Sequence, residues 1–354
     1  NYERTKRIMA FTTINNGSLF MNTKLYTGTG SSNAQTGVGF QPDFTWIKMR
    51  SNTAVHYLFN AVSGATKFIN SDQNYGEQTN TESLKSFDTD GFTLGTMTGA
   101  NGNTEDFASW NWKANGQGSS NTNGSINTTY TSANTTSGFS IITYTGNGTS
   151  GATIGHGLST APQMVIIKKL GTENWTVGHV GEGWTKNGKL NTNDSFGASA
   201  LSFNNTAPTT SLITLGSGNV ANANTGTYVC YAFSNIQGFS KMGYYTGNGN
   251  ADGTFNYTGF KPSWIMIKRT DANNQWIMLN NKMSLYNNNT GDELYADSNA
   301  AQNSFVDGGA DFLSNGFKLR GTNGSVNLNG GTYIYAAFAE APLVGTNNIP
   351  ANAR

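Results

Sequence analysis

The sequence predicts an all-β fold made of three tandem β-sandwich modules of about 95–105 residues, jelly-roll, Ig-like or lectin-like in type. The first observation behind this prediction is the composition, because only 12% of the 354 residues are charged and 44 are glycine. Glycine and small polar residues favour turns and solvated strands over helices. The second is a set of three recurring sequence blocks, which indicates a repeated unit. The third is the recurrence of Asn-Gly pairs, which suit the tight turns of hairpins.

Each predicted unit opens on a block that ends in Tyr-Thr-Gly-x-Gly. The three copies are LFMNTKLYTGTG from Leu19, GFSIITYTGNG from Gly138 and GFSKMGYYTGNG from Gly238. Unlike a phosphate-binding P-loop, the motif lacks a following Lys-Ser/Thr pair and precedes no helical pattern. We therefore expect a tight turn at this motif rather than a phosphate site.

The second recurring block places a proline six residues before a lysine: QPDFTWIKMR, APQMVIIKKL and KPSWIMIKRT. Both faces are apolar until the last two residues, which predicts a central strand buried on both sides, with its lysine emerging into water. Proline has no N–H and suits the entrance of such a strand. The alternative, three equivalent ligand contacts by the lysines, is less favoured because long cationic side chains usually end in solvent. The structural signature positions are Pro42, Trp46, Lys48, Pro162, Ile166, Lys168, Pro262, Met266 and Lys268.

A closing block, EDFASWNW, GTYVCYAF or GTYIYAAF, ends each unit and sets the predicted domain boundaries. The segment between the first two units has no charged residue and is predicted to be a polar linker. Weak alternation in SINTTYTS leaves open an edge strand within it. Few residues join the second and third units, so we expect those two to pack together and the first to be looser. The predicted parts are an N-terminal segment 1–17, repeat 1 at 18–114, the linker at 115–137, repeat 2 at 138–236, repeat 3 at 238–341 and a C-terminal tail 342–354.

Composition and motif spacing disfavour several functional classes. The net charge of +1 creates no strong electric field that would attract nucleic acid or an anionic membrane. The sequence also contains no run of about 18 apolar residues, so a membrane-spanning helix is not predicted. The three histidines lack partners at metal-ligand spacing, and the carboxylate pairs Glu105–Asp106 and Asp88–Asp90 occur in one unit only. We therefore predict no enzyme activity and no catalytic, cofactor or metal site, and we interpret the single Cys230 as a buried apolar residue.

Three tryptophans outside the recurring strand blocks are the candidate contacts for a ligand or partner: Trp175, Trp184 and Trp276. A tryptophan on a loop or sandwich face is a common platform for a sugar ring or a protein partner. The competing interpretation, with equal weight, is that these side chains cap the ends of the sandwiches.

The stretch GFSIITYTGNGTSGATIGHGLSTAPQMVIIKK, followed by a tryptophan and by GTYVCYAF, resembles a repeated module of uncharacterised virion proteins from tailed phages, especially those of marine bacteria. The segments DTDGFTLG, SNGFKLRG and AEAPLVGTNNIPANAR add to the likeness, which covers nearly the whole chain after Ser18. The resemblance implies a virion structural protein on the particle surface: a tail fibre, a capsid fibre or a decoration. It also implies a contribution to host attachment.

The expected partners are other virion proteins and further copies of this chain, with a homotrimer favoured because closed symmetry protects exposed sheet edges. A host surface glycan is a further candidate partner, whereas nucleic acid and cofactors are not expected. Two alternatives from other functional classes stay open. One is a carbohydrate-binding, lectin-like protein, and the less favoured one is a polysaccharide depolymerase.

Overall fold

The computed structural model describes residues 12–283, 287, 290–306, 308–346 and 350–352. Within these ranges the fold is all-β with several antiparallel sheets, which confirms the predicted sandwich-type class. Residues 1–11 of the predicted N-terminal segment lie outside the described part. The α-helices there are single turns, α1 (Thr98–Asn101), α2 (Ala200–Phe203) and α3 (Asn219–Asn222), with 3-10 turns at Gly17–Leu19 and Val180–Glu182. No helix in the described ranges is long and apolar enough to cross a membrane.

The first module contains a six-stranded main sheet and a three-stranded small sheet. The main sheet has the order β1-β9-β3-β4-β5-β6 and the small sheet the order β2-β8-β7. Its strands are β1 (Met21–Thr27), β2 (Asn33–Gln35), β3 (Phe44–Met49), β4 (Tyr57–Asn60), β5 (Lys67–Ile69), β6 (Gln78–Thr79), β7 (Leu84–Asp88), β8 (Gly91–Leu94) and β9 (Asp106–Trp112).

The second module repeats this plan with an added outer strand. Its main sheet has the order β10-β11-β18-β13-β14, with two-stranded sheets β12-β17 and β15-β16. The outer strand β10 lies in the segment predicted to be a linker and pairs with β11. The alternative interpretation, an edge strand within this segment, is therefore confirmed. The strands are β10 (Tyr130–Asn134), β11 (Phe139–Thr145), β12 (Thr153–Gly155), β13 (Met164–Lys169), β14 (Thr176–His179), β15 (Lys186–Asn187), β16 (Gly197–Ala198), β17 (Leu212–Thr214) and β18 (Thr227–Phe233).

The third module has a main sheet of order β19-β27-β21-β22-β23-β24 and a small sheet of order β20-β26-β25. The opening, closing and proline-lysine blocks therefore form three neighbouring strands in the same order in every main sheet. The strands are β19 (Ser240–Thr246), β20 (Phe255–Tyr257), β21 (Phe260–Arg269), β22 (Ile277–Asn280), β23 (Thr290–Tyr295), β24 (Asn303–Val306), β25 (Ala310–Leu313), β26 (Gly316–Leu319) and β27 (Thr332–Pro342).

The proline-lysine block forms a central strand in each module, as predicted, since β3, β13 and β21 each lie between two hydrogen-bonded neighbours. Proline precedes the first two of these strands, whereas Pro262 lies inside β21 where the register with β27 shifts, a position that tolerates the missing N–H. The predicted exit of the lysines into water is wrong. Lys48, Lys168 and Lys268 are all fully buried, because the face that carries them packs against another module.

One face of each main sheet packs against the other two modules in a shared core. The ring centroids of Phe44 and Tyr231 lie 4.5 Å apart, and those of Trp112 and Trp264 lie 5.6 Å apart, so aromatic contacts join the first module to both others. The prediction that the first module is looser is therefore wrong. The opposite face of each main sheet packs on the small sheets of its own module.

The Tyr-Thr-Gly-x-Gly block forms a loop around a buried asparagine. In the second module Asn222 Nδ2 donates hydrogen bonds to the carbonyls of Thr149 (2.9 Å) and Gly216 (3.0 Å), and its Oδ1 accepts from the N–H of Asn147 (2.9 Å). Asn101 and Asn327 hold the equivalent loops in the other modules, and all three are fully buried. The motif thus forms the turn that the sequence predicts.

Both glycines of this motif are required by the loop geometry. A Cβ at Gly146 would lie 2.5 Å from the carbonyl oxygen of Ala223, which is too close for any side chain. Gly148 adopts a φ of 72°, a backbone conformation that residues with a side chain rarely adopt. The repeated glycines therefore permit the close approach of the loop to the chain that carries the asparagine.

Replacing Asn222 by alanine is expected to lower the free energy of unfolding by at least about 2 kcal/mol, because buried backbone groups lose their hydrogen-bond partner. The midpoint of urea-induced unfolding measures this change. Asn224→Ala is the matched control, because this asparagine is exposed two positions further on, and it should shift stability by less than about 0.5 kcal/mol. Equal effects of the two substitutions would contradict the role given to Asn222.

Candidate functional site

A ring with an N–H donor stands directly before the strand that follows each proline-lysine strand. These residues are His56 before β4, Trp175 before β14 and Trp276 before β22. All three are at most 1% exposed. The prediction that Trp175 and Trp276 are exposed ligand platforms is therefore wrong, because the neighbouring module covers the loops that carry them.

The three rings link the modules in a closed cycle. Each donates its ring N–H to a backbone carbonyl of another module, at or just after the end of the equivalent strand. The second module bonds to the first, the third to the second and the first to the third. The bonds, each 2.9 Å long, run from Trp175 Nε1 to Asn70, from Trp276 Nε1 to Lys189 and from His56 Nε2 to Tyr295.

His56 serves here as a neutral donor. Its Nδ1 accepts a 2.8 Å hydrogen bond from Trp46 Nε1, which places the ring proton on Nε2, the atom that faces the carbonyl of Tyr295. Burial, and to a smaller extent the cation of Lys48, lower the pKa of His56 to about 3. The imidazole is therefore uncharged at neutral pH and acts as the counterpart of the two indoles.

Trp184 has a different place from the other two candidate tryptophans. It is 4% exposed, and its ring packs edge-on against Phe203 in the core of the second module, with centroids 5.5 Å apart. This arrangement matches the alternative in which the tryptophan caps a sandwich. All three candidate tryptophans are thus structural contacts.

The three buried lysines bond to carbonyl groups at the same junctions. Lys268 Nζ donates to the carbonyls of Asn274 and, in the second module, Asn193 (2.9 Å). Lys168 Nζ makes a comparable set of bonds, and Lys48 Nζ donates to the adjacent carbonyl of Met49 (2.6 Å). Burial lowers the pKa of each lysine to about 8. The lysines therefore carry their charge into the interior, where carbonyl dipoles replace water.

The other groups considered for catalysis also have structural partners. His179 Nε2 faces the carbonyl of Tyr335 in the third module, and burial lowers the pKa of His179 to about 4. Asp90 accepts hydrogen bonds from the backbone N–H groups of Gly37 and Gly39, which fixes a turn. In the described ranges, no three His, Cys, Asp or Glu side chains are grouped so that they could hold a metal ion. Cys230 is fully buried, as expected for an apolar residue.

Two cavities differ sharply in what they could bind. The modules enclose an apolar cavity of about 20 Å³ between their aromatic rings, including Trp46, Tyr231 and Trp264, and a space of this size holds no ligand. A surface groove of about 520 Å³ opens instead on the third module, lined by exposed aromatic rings and by amide side chains. The sequence analysis missed this groove because the exposed rings Phe255 and Tyr257 lie outside the recurring blocks.

The fold and its junctions define a class of all-β protein in which three similar sandwich modules of one chain close on each other around a shared core. The chain belongs to the family described as Domain of unknown function (DUF7483), whose model matches residues 16–342. That match spans all three modules. Neither the curated proteins nor the solved structures contain a match to this chain.

Trp276→Phe is expected to lower the free energy of unfolding by about 1–3 kcal/mol more than Trp264→Phe, because only Trp276 loses a hydrogen bond between modules. Trp264 is a matched control: it is equally buried, and its Nε1 has no partner in the described part of the chain. Urea unfolding followed by fluorescence measures both variants. Equal losses would show that the bond to the Lys189 carbonyl contributes nothing.

The contribution of Lys268 to the free energy of unfolding is expected to rise between pH 8 and pH 10. The folded chain releases this proton near pH 8, whereas the unfolded chain keeps it to about pH 10.4, so the unfolded state binds more protons in this window. Relative to Lys268→Met, the wild-type free energy of unfolding should therefore increase with pH, by up to about 3 kcal/mol. Urea titrations at several pH values test this, with Lys282→Met as the exposed control. A flat difference would contradict the prediction.

Proposed function

We propose that this chain is a non-enzymatic structural protein that forms a fibre, appendage or decoration on the surface of a phage particle and contributes to host attachment. The observation that carries the proposal is the closed cycle of contacts between the three modules. Ring N–H groups, lysines and aromatic rings all hold one module against the next. A body joined in this way resists mechanical and thermal disruption, which a particle exterior requires.

The composition supports the same role. The surface polarity comes mostly from uncharged residues, and the single cysteine is buried, so the stability of the protein does not depend on the redox state of its surroundings. The resemblance of the repeat blocks to virion proteins of tailed phages adds a biological context for such a body. Other virion proteins are the partners that this role requires.

A homotrimer stays the favoured assembly in this proposal. The outer edge of β1 is the first position in its main sheet, and such an edge offers backbone groups for pairing with another chain. In the second module the equivalent edge of β11 is already covered by β10, and at the β19 edge the Asn235 side chain bonds to the backbone of Met242. Further copies of the chain or other virion proteins would be the partners of the β1 edge.

Purified phage particles from the source of this chain provide the test. Mass spectrometry should detect the chain in the particles, and gold-labelled antibodies against it should bind outside the capsid shell. Light scattering of the purified protein should give three times the mass of one chain. Absence of the chain from purified particles would overturn the virion role, and a monomer at particle-like concentrations would overturn the trimer.

A further inference from the structure

An extended groove follows the edge of the third module between β19 and β20. The groove of about 520 Å³ continues into one of about 340 Å³, and the two share Asn235, Lys241 and Tyr257. The larger part displays three aromatic rings to solvent: Tyr244 is 67% exposed, Phe255 43% and Tyr257 53%. Rings of this size are mostly buried in folded proteins, so their grouping along one groove indicates a binding surface.

A smaller space of about 190 Å³ follows the corresponding edge of the first module, where a lysine replaces the glycine of the third module. The pairing of β1 with β9 matches that of β19 with β27, which aligns Lys24 with Gly243. The Lys24 side chain extends along the edge towards Gly37, with Nζ 3.9 Å from where a Cβ on that glycine would lie. In the third module a Cβ at Gly243 would lie 2.4 Å from the ring of Tyr335. Glycine is therefore required there, and its missing side chain leaves the groove open.

The exposed rings are likewise particular to the third module. The pairing of β20 with β26 matches that of β2 with β8, which aligns Phe255 with Ala34 and Tyr257 with Thr36. Two large rings thus stand where the first module has small side chains. The second module has its outer strand β10 along the equivalent edge. The exposed rings of the groove are consequently a feature of one module rather than of the repeat.

We propose that this groove binds a neutral oligosaccharide. Aromatic rings offer flat apolar surfaces for the C–H faces of sugars, and the amides of Gln163 and Asn235 supply donors and acceptors for hydroxyl groups. Among the described residues, Lys241 is the one charged side chain that lines the groove, which favours a neutral ligand over a polyanion. The length of the joined grooves suits several sugar units rather than one. This binding does not depend on the virion role, because the groove is complete within a single chain.

Binding of immobilised linear oligosaccharides of glucose, mannose, galactose and N-acetylglucosamine tests the proposal, followed by calorimetry of the best ligand. The wild-type protein should bind at least one of them. Tyr257→Ala should weaken binding about tenfold, equivalent to 1.4 kcal/mol, and the double variant Phe255→Ala, Tyr257→Ala should weaken it further. Tyr75→Ala, which removes an equally exposed ring from the first module, should leave the affinity unchanged.

Failure of every neutral oligosaccharide to bind would overturn the proposal, as would equal binding by the double variant. Binding of an extended peptide in place of sugars would overturn it as well, and would identify the edge of β19 as a site for strand pairing. Each of these results leaves the test on phage particles unaffected.

Discussion

Burial of the inner face of every main sheet against the other two modules is the constraint on which the rest of the structure depends. A two-sheet sandwich satisfies one face of each sheet within its own module, and the main sheets here are apolar on the second face as well. Phe44, Tyr231 and Trp264 contribute to one aromatic core from three different modules. Because no module can cover this face alone, the modules depend on one another as neighbouring units of a repeat protein do.

This apolar contact forces polar groups into the interior, and their bonding sets the geometry of the junctions. The lysine at the end of each proline-lysine strand lies on the inner face, so its ammonium must find carbonyl oxygens instead of water. The ring N–H before the next strand meets the same requirement by reaching a turn of another module. Apolar packing therefore supplies the attraction between modules, whereas these directional bonds allow one relative placement. His56 occupies the position that a tryptophan has in the other two modules, so the placement of the N–H donor matters more here than the residue type.

The repeat order and the central strands could be predicted from the sequence because both depend on local spacing and alternation. The burial of the side chains at the strand ends could not be predicted. Whether Lys48 or Trp175 contacts water depends on a second module, which no local sequence pattern reveals. One signal was available: His56, Trp175 and Trp276 all follow the recurring lysine of their own repeat by seven or eight residues. Equivalent ring donors in three repeats point to a shared contact, as opposed to three independent ligand platforms. The groove residues Phe255 and Tyr257 became visible only when strand register aligned them with Ala34 and Thr36.

Repetition and divergence thus divide the chain into two kinds of position. The shared positions face inwards or form the Tyr-Thr-Gly-x-Gly loop, where a change would disturb a junction or a buried asparagine. The outer edges of the main sheets carry neither the recurring lysines and ring donors nor the buried asparagines, so the modules can differ there. The first module has Lys24 at this edge, the second has the added strand β10, and the third has Gly243 beside the groove. A ligand surface can change on such an edge without loosening the ring of modules. The third module therefore combines a scaffold held in common with a recognition surface that the other two modules do not share.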